Sequence, residues 1–440
     1  MDRILAVDVG TQSLKASVVD HDLTTLERQQ VFYEPQVKRK TWVEIDAEVL
    51  WKAFIDVCCQ LRMAKEVKSL CFSTLCPSLL PMDADGNPLR PVILHMDRRS
   101  YRQAIWALNR VGEDKFLRIA GNLPIPGGIS LTSLLWIKET EPSIYQRKEV
   151  IFGHAVTFFM KRLTGRFVID PSNASFTGFY DTVGYGDWSS ELLRDLQIAR
   201  EKLPQVVMSS TVVGELNKKM AESAELPPNI PVVIGANDTT CSCVGAGVTE
   251  PGKLLNTSGT TDCMVLCLDS PLPSKNHLLR THAYPNRWLA MRIVGAGGAS
   301  LEWFRKAFCQ EMKRDFFYDE YLRTTLASSS RPETRFHPFL SGDRHRIKQK
   351  TGSFTQLSLE TTKEDCLLAL VHGIVSFQAK ALREWKKKVN LDSVIYHVGG
   401  GASDAYTRYK QRLFKGFKVI QLGETAIKGA AKLGFDALKQ

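Results

Sequence analysis

Apolar and polar positions fall into two similar halves along the chain. Ile4 to Val7 is a short apolar run that predicts a buried strand. The polar turn Asp8-Val9-Gly10-Thr11-Gln12-Ser13 follows, and Lys15 to Asp20 predicts a return strand, giving a hairpin with a Gly-Thr-Gln-Ser tip. Helical spacing (Val49, Phe54, Val57, Leu61) then marks Trp42 to Ala64, with Asp46 as the cap. Val67 to Ser73 predicts another strand, Met82 to Asn87 a tight reversal, and Ser100 to Val111 and Ser130 to Thr140 two further helices.

Around residue 230 the pattern restarts. Val232-Val233-Ile234 leads into Gly235-Ala236-Asn237-Asp238. Lys253-Leu254-Leu255, the turn Asn256-Thr257-Ser258-Gly259-Thr260-Thr261 and the run Cys263 to Leu268 then copy the layout of the first hairpin. A third glycine cluster, Gly399-Gly400-Gly401, follows the apolar strand Val394 to Val398. This is a long-range repeat of one unit, not a solenoid period. Two lobes, each carrying a phosphate-sized turn, is the reading it supports.

Length agrees with that division, since 440 residues exceed one domain at ~100–200 residues each. An apolar share of 44% and a charged share of 24% describe a globular chain with a sizeable core, not a disordered, fibrous or coiled-coil protein. No run of ~18 uninterrupted apolar residues predicts a membrane span. The opening Asp2-Arg3 is too short and too acidic for a secretory signal, so a cytoplasmic protein is expected. The net charge of +11 is spread out, and the basic stretches Arg344 to Lys350 and Arg383 to Lys388 read as solvated surface. No basic run is interleaved with aromatics, which argues against nucleic acid as a partner. The ten cysteines lack zinc-ligand spacing and read as core thiols.

The three turns carry the candidate chemistry. A Gly-Thr-Gln-Ser tip presents backbone N–H groups and hydroxyls at close range, as a phosphate chain requires. Neither G-x4-G-K-[ST] nor G-x-G-x-x-G occurs at these turns, which excludes the P-loop and dinucleotide-binding assignments. Each turn alone is an ordinary hairpin end; the three together point to a nucleotide. Asp8, at the exit of the first strand, is placed to hold Mg²⁺. Asp238 could take a proton from an attacking hydroxyl, or it could cap the segment Thr239 to Val244; the local sequence leaves both open.

The motifs Asp8-x-Gly10-Thr11-x-Ser13-x-Lys15, Trp42-Val43-Glu44-x-Asp46, Gly235-x-x-Asp238 and Asn256-Thr257-Ser258-Gly259-Thr260 resemble the FGGY carbohydrate kinases. Gly297-Gly298-Ala299-Ser300-Leu301-x-Trp303, Gly399-Gly400-Gly401-Ala402 and Glu424-x-Ala426-x-x-Gly429-Ala430-Ala431-x-x-Gly434 extend the resemblance over nearly the whole chain, in order. It implies an α/β fold of two RNase H-like lobes, of the actin/hexokinase type, closing on a central cleft. Residues 1–236 would form the sugar-binding lobe with the first phosphate turn, and 237–440 the nucleotide-binding lobe.

The implied activity is transfer of the γ-phosphoryl group of ATP to a sugar or polyol hydroxyl, with Mg²⁺. Asp238 matches the catalytic base, and Asp8 with Asp238 the metal carboxylates. Gly10, Thr11, Gln12, Ser13 and Lys15 match the first phosphate turn, with Lys15 where the family often has arginine. Gly259 and Thr260 match the second turn, while Gly298, Gly400 and Gly401 match positions lining the nucleotide; glycine at Gly298 and Gly400 also suits tight helix–strand packing. On the sugar side the family usually carries polar readers, whereas this chain has Ser73-Thr74-Leu75-Cys76-Pro77-Ser78. Cys76, Asp97, Arg98 and Asp238 are the candidates to face the substrate, and Asp97 is expected to accept hydrogen bonds from it. The sugar's identity is left open, as is a homodimer. The rival reading is a catalytically weak sugar-sensing protein on the same scaffold, which should have lost Asp8 or Asp238.

Overall fold

The computed structural model describes every residue except Met1, Lys40, 328–331, Ala402 and Gln440. Ala402 of the third glycine cluster therefore lies outside the described residues.

Two six-stranded sheets organise the molecule. In the first, Arg3–Val9 pairs antiparallel with Ser13–Asp20, which pairs antiparallel with Thr25–Phe32. On its other side Arg3–Val9 runs parallel to Ser69–Thr74, and that strand runs parallel to Pro231–Asn237. The second sheet repeats this order. Leu254–Ser258 pairs antiparallel with Asp262–Leu268, and that strand with Trp288–Val294. On the far side Leu254–Ser258 runs parallel to Val394–Val398, which runs parallel to Lys418–Gln421. One extra antiparallel strand closes each sheet, Val212–Glu215 in the first and Leu278–Thr281 in the second. The repeated hairpins of the sequence are thus the same corner of two equivalent sheets.

Parallel strands buried on both faces need continuous apolar runs, and these strands have them. Leu5, Val7, Leu70, Phe72 and Val232 are fully buried in the first sheet, as are Leu254, Leu266 and Ile395 in the second. Phe54, Phe72 and Phe159 pack ring to ring under the first sheet at centroid distances of 5.5 to 5.9 Å. The 24-residue helix Lys363–Lys386 backs the second sheet. Among the described residues it alone is long and apolar enough to cross a membrane, yet most of its apolar stretch is buried in this core.

The C-terminal helix Ala426–Leu438 crosses back onto the first sheet, packing on Arg3–Val9 and Ser69–Thr74 and against the helix Asp238–Gly245. Its small residues make this contact. A side chain at Gly429 would collide with the carbonyl of Cys241, and one at Gly434 would come within 2.8 Å of Ile4.

One expected element divides differently. Trp42–Ile45 is a strand of a separate five-stranded sheet, and the helix begins only at Ala47. Asp46 does cap it, accepting from the Glu48 amide. The helical spacing of Val49, Phe54, Val57 and Leu61 is genuine, but it does not reach back across the cap.

Candidate active site

Parallel neighbours finish at the same edge of a sheet, and this brings distant residues together. In the first sheet Asp8 lies opposite Ser73, and Ser73 opposite Ala236, so Asp238 stands two residues beyond that row. In the second sheet Thr257 lies opposite Val398, so the turn Ser258 to Thr261 adjoins the Gly399 to Gly401 loop. The Gly401 amide donates to the Ser258 carbonyl at 2.8 Å.

The first turn is held from below. The Gly10 amide donates to the Ser13 carbonyl at 2.9 Å, and the Tyr33 hydroxyl to the Gly10 carbonyl at 2.7 Å. Gln30 donates to the Ser13 hydroxyl at 2.9 Å. Thr11 and Gln12 are left at the tip. Lys15 is tied to Glu424 at 2.9 Å, and Arg28 meets the same carboxylate at 2.8 Å.

A cavity of 840 Å³ joins the three turns. Gln12, Gly259, Thr260, Gly298, Gly400 and Gly401 all line it, with Trp303 and Tyr318 on the wall contributed by the helical segments that follow. The glycines serve two purposes here. At Gly298 a side chain would press to 2.6 Å from the Gly259 carbonyl, whereas at Gly259 and Gly400 it would meet nothing within 4 Å and would occupy the cavity itself.

Beneath the second turn lies a buried ionic network that sequence reasoning missed. Lys410 is fully buried and donates to Asp262 at 2.7 Å, to Ser258 at 2.6 Å and to Asn256. Burial alone would raise the Asp262 carboxyl, but the Lys410 ammonium and the Asn256 and Ser258 donors hold it below the usual carboxylate range. A lone lysine in the polar-looking helix Asp404–Leu413 carries no local sign of this role.

The carboxylates at the strand ends differ in environment. Asp8 is pushed up to about 6, chiefly by burial; Ser73, donating at 2.6 Å, opposes the rise, and the negative charge of Asp238 adds to it. Asn237, not Asp238, caps the helix Asp238–Gly245, accepting from the Thr240 amide at 3.0 Å. Asp238 is the first helical residue, held by the Thr239 amide and hydroxyl, so capping does not account for its carboxylate.

The acceptor side departs from expectation. Asp97 is fully buried, and its carboxylate takes two nitrogens of Arg99 at 2.7 to 3.0 Å and the Val43 amide at 2.7 Å. Arg99 also pairs with Glu44 at 2.7 Å and lies 4.0 Å from the Trp42 ring centroid. The Asp97 carboxylate is therefore occupied in joining two segments, and the expectation that it receives substrate hydrogen bonds is corrected. Arg98 points the other way, donating from Nη1 to the carbonyls of His95, Asp97 and Pro126. Cys76 sits at the end of Ser69–Thr74, with its sulfur 3.8 Å from Nδ1 of the buried His154. Burial raises the Cys76 thiol well above its ordinary value.

Two arginines nearby were missed. Arg280 donates to Asn237 and lies 4.0 Å from the Phe176 ring centroid. Arg344, read as solvated surface within a basic stretch, is only 7% exposed and lies within electrostatic range of Arg280, Asp238, Cys76 and Cys263.

The comparisons with known proteins agree with this architecture. Residues 3–245 match the FGGY family of carbohydrate kinases, N-terminal domain. A xylulose kinase of Staphylococcus xylosus is 26% identical over 414 residues, covering 92% of this chain and 84% of the relative. A gluconokinase of Bacillus subtilis (strain 168) is 26% identical over 385 residues, covering 84% and 74%. The fold matches that of a ligand-bound xylulose kinase from Lactobacillus acidophilus with a TM-score of 0.89 at 22% identity, over 100% of this chain and 90% of that one. With a match over more than half its length, two equivalent lobes and three turns on one cleft, the chain belongs to the FGGY family of carbohydrate kinases.

Proposed function

We propose that this carbohydrate kinase uses Asp238 as the base that accepts the proton of the acceptor hydroxyl while its oxygen attacks the γ-phosphorus of ATP. The observation that carries this is the convergence of Asp8 and Asp238 at the strand ends beside a cleft walled by the glycine turns. The new bond joins the acceptor oxygen to phosphorus, the bond to the β–γ bridging oxygen breaks, and ADP leaves. Backbone amides of Thr11, Gln12 and Thr260 would cradle the phosphates, with Gly10, Ser13 and Gly259 shaping the turns that present them. Gly298, Gly400 and Gly401 would keep the wall thin enough for the nucleotide, and Lys15 would turn from Glu424 toward phosphate.

Two carboxylates supply the hard oxygen donors that suit Mg²⁺. Among the described residues no three His, Cys, Asp or Glu side chains cluster. An ion held by Asp8 and Asp238 would take its other ligands from phosphate and water. Bound there, Mg²⁺ would offset the charge of the transferring group.

Residues 1–236 would serve the acceptor and 237–440 the nucleotide, with the C-terminal helix joining the two. Ten free thiols suit a reducing, cytoplasmic setting. The acceptor is a small sugar or polyol, bound without nucleic acid or membrane; a homodimer is compatible with this reading. A screen of ADP release from Mg²⁺-ATP against ketoses, polyols and sugar acids tests it. Acceptor-dependent release is expected, and release at the same rate with and without every acceptor would overturn it.

A further inference from the structure

The acceptor side of the cleft carries an excess of buried positive charge. Arg98, Arg280 and Arg344 approach it from three separate segments. Among the described residues none has a carboxylate within ion-pair distance, and the Nε atom of each is buried without a hydrogen-bond partner. Arg344 is the extreme case, since its guanidinium makes no hydrogen bond to any described residue. Its stem runs past Gly295, where a side chain would touch it at 3.5 Å. His95, beside Arg98, also has a buried Nδ1 without a partner, and burial together with Arg344 and Arg98 keeps its ring neutral.

Little negative charge answers these groups. Asp238 is the carboxylate assigned to the reacting hydroxyl. Asp170 lies within range of Cys76, but its oxygens are taken up by Ser172 and Asn173 of its own turn. Asp97 is committed to Arg99. Burying a guanidinium without a counter-charge is costly, so three converging ones mark a place where something else supplies the anion. A neutral ketose or polyol cannot do so. A carboxylate or phosphate can, because its oxygens match the planar donor fork of arginine.

We propose that the acceptor of this kinase is anionic, a sugar or polyol bearing a carboxylate or phosphate group that Arg344 and Arg280 receive while a hydroxyl elsewhere on it reaches Asp238. The proposal rests on the kinase reading above and narrows its substrate class. Cys76 offers only a thiol that burial keeps neutral, so the arginines would carry recognition of the anionic group.

The experiment combines calorimetric binding with ADP release for four- to six-carbon aldonates, the alditols of the same length and the matching sugar phosphates. An anionic acceptor is expected to exceed its alditol by at least about tenfold in affinity, as charge-assisted bonds in a buried site allow. Whether aldonate or phosphate leads identifies the source of the charge. In Arg344→Gln that preference should fall by at least about tenfold, and Arg344→Lys should restore part of it. Arg280→Gln gives a second reading should Arg344→Gln fail to fold. Turnover of neutral acceptors in preference to anionic ones would overturn the proposal and leave the kinase reading standing. Anion binding lost in Arg344→Gln, without ADP release from any acceptor, would support the anion site and count against the kinase reading. No anion binding at all would overturn the proposal.

Discussion

The Ser73 hydroxyl donates to the Asp8 carboxylate at 2.6 Å from the neighbouring parallel strand, where the two residues are paired in register. This bond favours the charged form and works against burial, which still leaves the carboxyl raised to about 6. A raised carboxyl holds its proton in the folded chain after the unfolded chain has released it. Its contribution to stability is therefore full below pH 3.8 and is lost as pH rises toward about 6. The proposed role runs the other way, because a carboxylate that is to hold Mg²⁺ must be ionised.

The kcat/KM for Mg²⁺-ATP should accordingly rise with pH along a limb near pH 6. Ser73→Ala removes a bond to the charged form, so the limb should move to higher pH in initial-rate profiles. A limb that stays in place would separate Asp8 from the nucleotide step.

Lys410 and Asp262 make a second prediction. Lys410→Met leaves a buried carboxylate without its cation and should cost ~3–5 kcal/mol, read as a fall in Tm. The double variant Lys410→Met/Asp262→Leu should recover a large part of that loss, since neither charge is then stranded. Equal Tm values for single and double variants would show that the pair is not coupled.

Asp97 makes a third. Asp97→Ala strips Arg99 of its bidentate partner and should destabilise the fold by about 3 kcal/mol in denaturant titrations. Acceptor and ATP KM values of the folded enzyme should stay close to those of the parent. A selective rise in acceptor KM at unchanged stability would return Asp97 to the substrate.

What the sequence made legible follows from the range of the forces involved. The two hairpins were readable because a Gly-Thr-polar tip between apolar runs is a local signal, and their repetition exposed the doubled fold. The strand Trp42–Ile45 was not, because four residues ahead of a cap are too few to break a helical pattern. Lys410 and Asp262 stand 148 positions apart, so neither announces the other. Arg344 looked like one more cation in the stretch ending at Lys350, and only the fold shows that this one is buried. The polarity of Asp97 is plain in the sequence, but its partner is not. Arg99, two residues on, takes the carboxylate that the substrate was expected to use.

The most direct measurement of the central claim is the turnover number of Asp238→Asn with Mg²⁺-ATP and an acceptor that supports ADP release in the parent enzyme. Asparagine keeps the size and the helical start, with Asn237 still capping, but it cannot take the proton of the attacking hydroxyl. The account predicts an unchanged Tm and a fall in kcat of ~10²–10⁴-fold. A folded Asp238→Asn variant that turns over within about threefold of the parent would contradict it, because a lost general base costs far more than that.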